Sequence, residues 1–333
     1  MQAAYYDRQG TADEVLVVGN LPDPEPGHGE VRVRIIYSGL NPTDVKARSG
    51  FAGMPMAFPR IVPHHDGAGT IDKVGAGVSE SRIGERVWIS RAQFGRAFGT
   101  AAEYSVVPAD LAVSLPANAS FQTGASLGIA ALTAHRCLFA DGDVHGLRVL
   151  VQGGGGAVGA AAILLAKWAG AWVSATVSRP EQERIARETG ADLVINRHAD
   201  DIPAKIRSAT GGIGVDRIVD VDLAHNIDVD LACLATNGTV AAYATEDPSA
   251  TLTMPFRSTM MGSHVLRFVF LPSIPEDAIR LAVKDVTACL SAGAHTPHIG
   301  MELPLDQIHK AHAAQKSATV VGKILLRTAS SND

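Results

Sequence analysis

The chain has 333 residues, of which 46% are hydrophobic and 19% charged, and its formal net charge is -5. A chain of this length buries a sizeable core and usually divides into two domains. The negative charge offers no basic field to nucleic acid or anionic lipid, so we predict a small-molecule partner, with no nucleic acid and no membrane. No apolar run approaches the roughly 18 residues of a membrane span, and the first four residues lack a signal-peptide pattern, which predicts a cytoplasmic protein.

The first third of the chain has the alternating pattern of half-buried strands. Val31, Val33 and Ile35 alternate with two arginines over residues 31–37, a period of two that is typical of a strand with one face in the core. Short strands are also predicted at 69–74 and 86–90, separated by glycines. This segment is therefore predicted to be β-rich.

From about residue 124 strands and helices alternate along the chain. A helix over 124–139 precedes this predicted series: strand 148–152, helix 157–169, strand 171–177, helix 180–189, strand 193–196, helix 200–209 and strand 216–221. Such alternation is typical of βαβ units around a parallel sheet. Residues 260–266 are predicted to form the last strand of that sheet.

The final elements are predicted to return to the β-rich part, which makes that domain discontinuous. They are a helix over 275–290 and a strand over 321–326. The predicted domains are therefore residues 1–122 with 267–333, and residues 123–266. Three cysteines, at 137, 233 and 289, lack metal-ligand spacing and are predicted to be buried free thiols, which suits a reducing compartment.

A glycine-rich turn follows the strand at 148–152 and opens a helix. Gly154, Gly156 and Gly159 have the spacing of the dinucleotide fingerprint, with Ala157 and Val158 between them. Glycine lets the chain turn sharply, lets a pyrophosphate approach the backbone and lets the helix pack closely on the sheet. The helix start adds free N–H groups and a positive dipole end. This context favours a nucleotide cofactor over a purely structural turn.

The end of the next strand indicates which dinucleotide binds. NAD sites usually carry an acidic residue about 20 residues beyond the glycines, but this chain has Ser178 and Arg179 there, with Glu181 the first carboxylate. A hydroxyl and a guanidinium suit a 2′-phosphate, so NADPH is the predicted cofactor. A compatible structural interpretation is that Ser178 caps the next helix and Glu181 completes a capping box.

The chain resembles the quinone oxidoreductase branch of the medium-chain dehydrogenase/reductase superfamily, whose members include zinc-type alcohol dehydrogenases. The resemblance covers nearly the whole length and depends on residues 33–50, 63–69, the glycine turn and 321–326; the segment 38–44 is the most specific. It implies an α/β fold in which a Rossmann-type doubly wound parallel sheet is joined to a discontinuous β-rich, GroES-like catalytic domain. It also implies a homodimer, because related proteins pair their last cofactor-sheet strands across a dimer axis.

Of the zinc ligands in related enzymes, His65 matches the histidine but the cysteine is replaced. Zinc-containing relatives have a cysteine where this chain has Asn41, and no cysteine lies between residues 1 and 136. A residual site made by His64, His65 and Asp66 is a weaker alternative, and we predict no metal. Without a Lewis acid to activate an alcohol, the accessible chemistry is hydride transfer from NADPH to an electrophilic acceptor, a quinone or an activated enone.

The resemblance also implies site residues. The predicted catalytic residues are Asn41, Asp44 and Lys46, of which Asn41 and Asp44 would lie at the mouth of the nicotinamide pocket. Lys46 stands where many relatives have tyrosine, and it could donate a proton, stabilise an enolate or be a solvated surface lysine. The other implied cofactor contacts are Arg197 near the adenosine phosphate, Tyr243 and Ala244 beside the nicotinamide ribose, Phe268 and Phe270 at the carboxamide, and Lys323.

Two further function classes remain open from the sequence. One is a zinc-dependent alcohol dehydrogenase, which metal analysis would distinguish. The other is a non-catalytic NADPH-binding protein, because kinship of fold does not fix function.

Overall fold

The computed structural model describes residues 1–328, which divide into two compact units. The β-rich unit consists of Met1–Ala130 and the segment that starts at Pro297, and the parallel-sheet unit is Ala131–Thr296. Each unit has its own buried apolar core.

The regular elements follow one another in an order that changes from strands to alternating strands and helices. The strands are β1 Gln2–Tyr5, β2 Val17–Asn20, β3 Glu30–Leu40, β4 Asp66–Val74, β5 Arg86–Ile89, β6 Tyr104–Pro108, β7 Ala112–Ser114, β8 Arg148–Val151, β9 Trp172–Val177, β10 Leu193–Asn196, β11 Val215–Asp220, β12 Leu234–Ala242, β13 Val265–Phe268, β14 Ile299–Pro304 and β15 Lys323–Arg327. The helices are α1 Ala12–Val15, α2 Pro42–Ser49, α3 Phe121–Phe139, α4 Ala157–Trp168, α5 Pro180–Glu188, α6 Ile202–Ala209, α7 Leu223–Cys233, α8 Phe256–Met261, α9 Glu276–Ser291 and α10 Ile308–Lys316.

The parallel-sheet unit has six strands in the order β10-β9-β8-β11-β12-β13, all parallel. The chain starts at β8, moves outward to β10 and then crosses to β11, so the strand order reverses between β8 and β11. In open parallel sheets such a reversal leaves a crevice at the carboxyl ends of the strands, where ligands bind. The central strands β8 and β9 are almost entirely buried, as is typical of a parallel sheet with helices on both faces.

The β-rich unit contains a seven-stranded sheet in the order β14-β15-β3-β4-β5-β7, with β6 also paired to β3. Val31, Val33 and Ile35 of β3 are fully buried, which confirms the alternating pattern. Burying each such side chain contributes about 1.5–3 kcal/mol. A separate pair, β1 and β2, is antiparallel.

Several elements differ from the sequence predictions. The predicted last strand of the parallel sheet is present as β13, but it begins at Val265 rather than at residue 260, because residues up to Met261 belong to α8. The chain returns to the β-rich unit at Pro297 rather than at residue 267. The reason is that α9 packs on α4, and Asp285 of α9 pairs with the buried His135 of α3 at 2.9 Å. The first boundary lies within α3, at residue 130 rather than 122.

The three thiols are buried, as predicted. Burial raises the pKa of each of them to about 12, so they are unreactive at neutral pH. Among the residues that the structure describes, no helix is long and apolar enough to cross a membrane.

Candidate active site

The glycine turn after β8 has a conformation that requires glycine. Gly153 adopts a φ of 76°, in the left-handed region. A Cβ on Gly159 would lie 2.2 Å from the carbonyl oxygen of Gly153, and one on Gly154 would lie 2.7 Å from the Cβ of Ala175. The turn therefore packs the start of α4 tightly against the sheet.

The N-terminus of α4 has no side-chain cap, so its first N–H groups can bind an anion. Gly156 is its N-cap residue and supplies no side-chain cap, and the first helical residues, Ala157 and Val158, are only partly buried. The first N–H groups of a helix have no intrahelical acceptor, and the dipole makes this end positive. The residues present thus fit a pyrophosphate, for which they would provide backbone donors.

The end of β9 carries Ser178 and Arg179, both partly buried. The hydroxyl of Ser178 donates to Oε1 of Gln182 at 2.9 Å, and its backbone N–H donates to the same oxygen. The interpretation of Ser178 as helix cap with Glu181 is wrong, because Arg179 is the N-cap residue and the partner is Gln182. The hydroxyl oxygen keeps its lone pairs.

The other predicted cofactor residues follow the carboxyl ends of neighbouring strands. Arg197 comes directly after β10 and is exposed, and Tyr243 and Ala244 come directly after β12. Phe268 ends β13 and Phe270 follows it; these rings are 71% and 68% exposed. All of them lie at the edge of the sheet where the glycine turn lies, as a doubly wound sheet requires of ligand-binding residues.

In the β-rich unit, three buried polar side chains form one cluster. The ammonium of Lys323 donates to Oδ1 of Asn41 at 2.7 Å and to Oδ2 of Asp66 at 2.9 Å, and Asn41 Nδ2 donates to the same Asp66 oxygen at 2.8 Å. Asp66 Oδ1 accepts the N–H of Ile129 at 2.9 Å. Lys323 was predicted to contact the cofactor; its side chain is only 2% exposed, and its ammonium forms an ion pair with Asp66.

Asp44 lies next to this cluster and is also buried. Its Oδ2 accepts the backbone N–H of Asn41 at 2.7 Å, whereas Oδ1 has no hydrogen-bond partner and lies 3.9 Å from Nε2 of His65. Burial and the neighbouring charge of Asp66 raise the pKa of Asp44 to about 8, and burial lowers the pKa of His65 to about 4. At neutral pH both are uncharged, and Asp44 holds a proton.

A buried chain of hydrogen bonds ends at the backbone carbonyl oxygen of Asp66. It runs through Arg48, His312, His64, Ser38, Thr100 and the carbonyl oxygen of Asp66. Since Arg48 can only donate, Nδ1 of His312 accepts and its Nε2–H donates to Nε2 of His64 over 3.0 Å. His64 Nδ1–H then donates to Ser38 at 2.8 Å. This polarity requires both rings to be neutral, in agreement with the lowering of both pKa values by burial.

Lys46 differs from the other two predicted catalytic residues. It is partly exposed on α2, and its ammonium lies 4.7 Å from the centre of the Phe51 ring. Asn41 and Asp44 are buried, at 2% and 1% exposure, so they lie beneath the surface.

The polar cluster does not fit a zinc ion. Asn41 is a poor ligand, its oxygen already accepts from Lys323, and the ammonium neutralises Asp66. Among residues 1–328, no three His, Cys, Asp or Glu side chains converge in a way that could hold a metal.

One unit of the chain is a six-stranded parallel sheet with a dinucleotide-type turn, and the other is β-rich. Together these features define a two-domain dehydrogenase or reductase. Residues 27–117 match the family described as Alcohol dehydrogenase GroES-like domain, and residues 157–288 match the Zinc-binding dehydrogenase family. The chain belongs to the quinone oxidoreductase-like branch of the medium-chain dehydrogenase/reductase superfamily. It is therefore an oxidoreductase that uses a nicotinamide cofactor.

Individual relatives agree on this family and differ in activity. A quinone oxidoreductase from Sus scrofa is 30% identical over 328 residues, which are 98% of this chain and 97% of the relative. A mycobacterial protein solved in complex with NADPH is 29% identical, with a TM-score of 0.85 over 98% of this chain and 100% of that one. A structure described as an NAD-dependent alcohol dehydrogenase is also 29% identical, with a TM-score of 0.88 over 99% and 100%.

Sequence reasoning missed the role of Asp66 and the contribution of His312. Asp66 was predicted only as part of a residual metal site, whereas a buried carboxylate can equally be paired with a cation, here Lys323. No local signal connects His312 to His64, because the two are 248 residues apart.

Proposed function

We propose that this enzyme transfers a hydride from NADPH to a quinone or an activated enone without a metal. The proposal rests on the buried cluster of Asn41, Asp66 and Lys323. In this cluster the ammonium of Lys323 balances the carboxylate of Asp66, and no position is left open for a metal ion. A site of this kind has no Lewis acid with which to activate an alcohol, so it suits acceptors that are already electrophilic.

The glycine turn and the end of β9 would hold the cofactor, whose dihydronicotinamide supplies the hydride. Backbone N–H groups at Gly156 and the start of α4 would donate to the pyrophosphate. Ser178 and Arg179 present a hydroxyl and a guanidinium, and no carboxylate, at the end of β9, which favours the 2′-phosphate of NADPH over the free ribose of NADH.

Asn41 would act by position rather than by proton transfer. Its amide is fixed by Lys323 and Asp66, so it offers a rigid framework for an acceptor or a ribose, whereas a reduced quinone can take protons from water. Lys46, which is partly exposed, is expected to matter less.

The proposal is tested by NADPH oxidation with a quinone and an enone, before and after dialysis against a chelator. We expect metal-independent turnover of both acceptors, little oxidation of primary alcohols, and a larger loss for Asn41→Ala than for Lys46→Ala. Stoichiometric zinc that is lost together with activity would favour a zinc alcohol dehydrogenase. Tight NADPH binding without turnover of any acceptor would favour a non-catalytic binding protein.

We further propose that the enzyme is a homodimer joined through β13. This strand ends the sheet order of its unit, and it leaves Val265 and Phe268 exposed, together with Met260 and Met261 of α8. An edge strand presents unpaired backbone groups that an identical strand of a second copy can satisfy. Light scattering should give a dimer mass for the parent and a monomer mass for Val265→Lys; a monomeric parent would refute the proposal.

A further inference from the structure

A continuous set of buried hydrogen bonds lies beneath the glycine turn of the parallel-sheet unit. The N–H of Gly153 donates to Oγ1 of Thr176 at 3.1 Å, and that hydroxyl donates to Oε1 of Gln152 at 2.7 Å. Nε2 of Gln152 donates to Oδ1 of Asp230 at 2.7 Å. Every side chain in this set is at most 4% exposed, so each polar atom depends on its neighbour in the chain.

The chain ends at a pair of buried carboxyl groups. The carboxyl groups of Asp220, at the end of β11, and Asp230 of α7 are both fully buried and lie close enough for a side-chain hydrogen bond between them. Asp220 also accepts the N–H of Asp222 at 2.6 Å and Nδ2 of Asn226 at 2.8 Å. Two carboxylates can hydrogen-bond each other only if one of them carries a proton.

The donors around the pair decide where the proton lies. Asp220 receives two N–H donors on its two oxygens, which stabilise its charge. Asp230 receives one donor on Oδ1, and its buried Oδ2 has no donor at all. A buried carboxyl oxygen without a donor is satisfied only if it is itself the O–H donor. The proton therefore belongs on Oδ2 of Asp230.

The surrounding titratable groups favour the same arrangement. They are Asp222, the exposed His225 that pairs with Asp222 at 2.9 Å, the thiols of Cys137 and Cys233, and the phenol of Tyr243. Burial raises the pKa of the thiols and of the phenol, so these groups are uncharged at neutral pH. Asp222 adds negative charge, which opposes ionisation of a second carboxyl group.

We propose that Asp230 is protonated at neutral pH, donates to Asp220, and thereby holds Gln152, Thr176 and the amide of Gly153 in one chain that fixes the phosphate-binding turn. Asp230 is then a positioning residue for the cofactor site, and this role rests on the function proposed above. In alkali the proton passes to solvent, two adjacent carboxylates repel each other, and the support beneath the turn is lost. NADPH affinity should fall accordingly.

The direct test needs no cofactor. Asp230→Asn keeps the shape, donates to Asp220 through Nδ2 and accepts from Gln152, but it cannot ionise. Asp228→Asn, on the exposed side of the same helix, is the matched control. At neutral pH the parent and the control should show one more infrared carbonyl component of a buried protonated carboxyl group than Asp230→Asn, in which only the component from Asp44 should remain.

Stability gives a second measure of the same proton. Unfolding releases this proton at any pH above about 4, the ordinary pKa of aspartate. The folded-to-unfolded ratio of the parent, divided by that of Asp230→Asn, should therefore fall by up to about tenfold per pH unit until the pair ionises in the folded protein. Identical infrared spectra and parallel pH profiles for the two proteins would overturn the proposal.

The connection to the turn is tested with NADPH as the probe. Asp230→Asn should bind NADPH as tightly as the parent at neutral pH and should keep that affinity in alkali, where the parent weakens. Thr176→Val interrupts the chain next to Gly153 and should weaken NADPH about tenfold while the carboxyl band remains, because one buried hydrogen bond is lost. Unchanged affinity in Thr176→Val would refute the positioning role. Failure of the parent to bind NADPH would refute the proposed cofactor and leave the infrared and stability results intact.

Discussion

Replacing Lys323 by Met should destabilise the protein strongly, because it removes one partner of a buried ion pair. The ammonium and Asp66 Oδ2 are 2.9 Å apart, and the side chains are 2% and 0% exposed. At that distance the Coulomb attraction is about 6 kcal/mol for an effective dielectric constant of about 20, and the desolvation of both ions offsets part of it. The remaining carboxylate would keep donors from Asn41 and Ile129 but no cation. We expect a loss of about 3–5 kcal/mol in the free energy of unfolding.

The assay is urea denaturation of four proteins: the parent, Lys323→Met, Lys323→Met with Asp66→Asn, and Lys205→Met. Lys205 forms a pair of similar length with Asp200, 2.8 Å, but its side chain is 47% exposed, so its loss should cost less than about 1 kcal/mol. The double variant should regain at least about 2 kcal/mol over Lys323→Met, because it leaves no unpaired charge. If Lys323→Met costs no more than Lys205→Met, the buried pair does not stabilise the β-rich unit as argued.

Three further predictions concern pH, the turn and the cofactor. Asp44 keeps its proton up to a pKa of about 8 in the folded chain and loses it near 4 when unfolded, so its contribution to stability declines as pH rises between these values. In that range the free energy of unfolding of Asp44→Asn, relative to that of the parent, should increase by up to about 1.4 kcal/mol per pH unit in urea denaturation. Parallel pH profiles for the two proteins would contradict this assignment. Gly159→Ala should abolish NADPH binding in calorimetric titrations, because its Cβ would lie 2.2 Å from the carbonyl oxygen of Gly153. The control Gly142→Ala, at an open position with a φ of 105°, should lower stability and leave NADPH binding unchanged. NADPH binding by Gly159→Ala would show that the turn can relax. Arg179→Ala should cost about 1–3 kcal/mol in the binding of NADPH and leave NADH unchanged; equal losses for the two cofactors would assign Arg179 a structural role.

The parallel-sheet unit was largely predictable because its signals are local. The strands β8, β9 and β10 are short apolar runs, and the glycine turn between β8 and α4 needs no distant residue to be recognised. The strand β12 escaped prediction for a physical reason. It contains Asn237, in the left-handed region with a φ of 62°, and its register to β11 shifts, so residues 234–242 lack a continuous strand pattern.

The cluster in the β-rich unit could be predicted only in part. The resemblance pointed to Asn41 and Asp44, but the partner that determines their chemistry, Lys323, is 282 residues from Asn41. Sequence separation of this size leaves no period or spacing to detect. Lys323 was therefore assigned by analogy to the cofactor, and the structure shows its ammonium on Asp66.

The same limit explains why a sequence indicates a carboxylate but not its charge. Asp66, Asp44 and Asp230 are all fully or almost fully buried, yet the structure satisfies them differently: Asp66 by an ammonium, Asp44 by retention of a proton, and Asp230 by a proton shared with Asp220. A retained proton makes the stability of the fold decrease as pH rises. Since one proton-retaining aspartate lies in each unit, alkaline sensitivity should arise separately in the β-rich unit, through Asp44, and in the parallel-sheet unit, through Asp230.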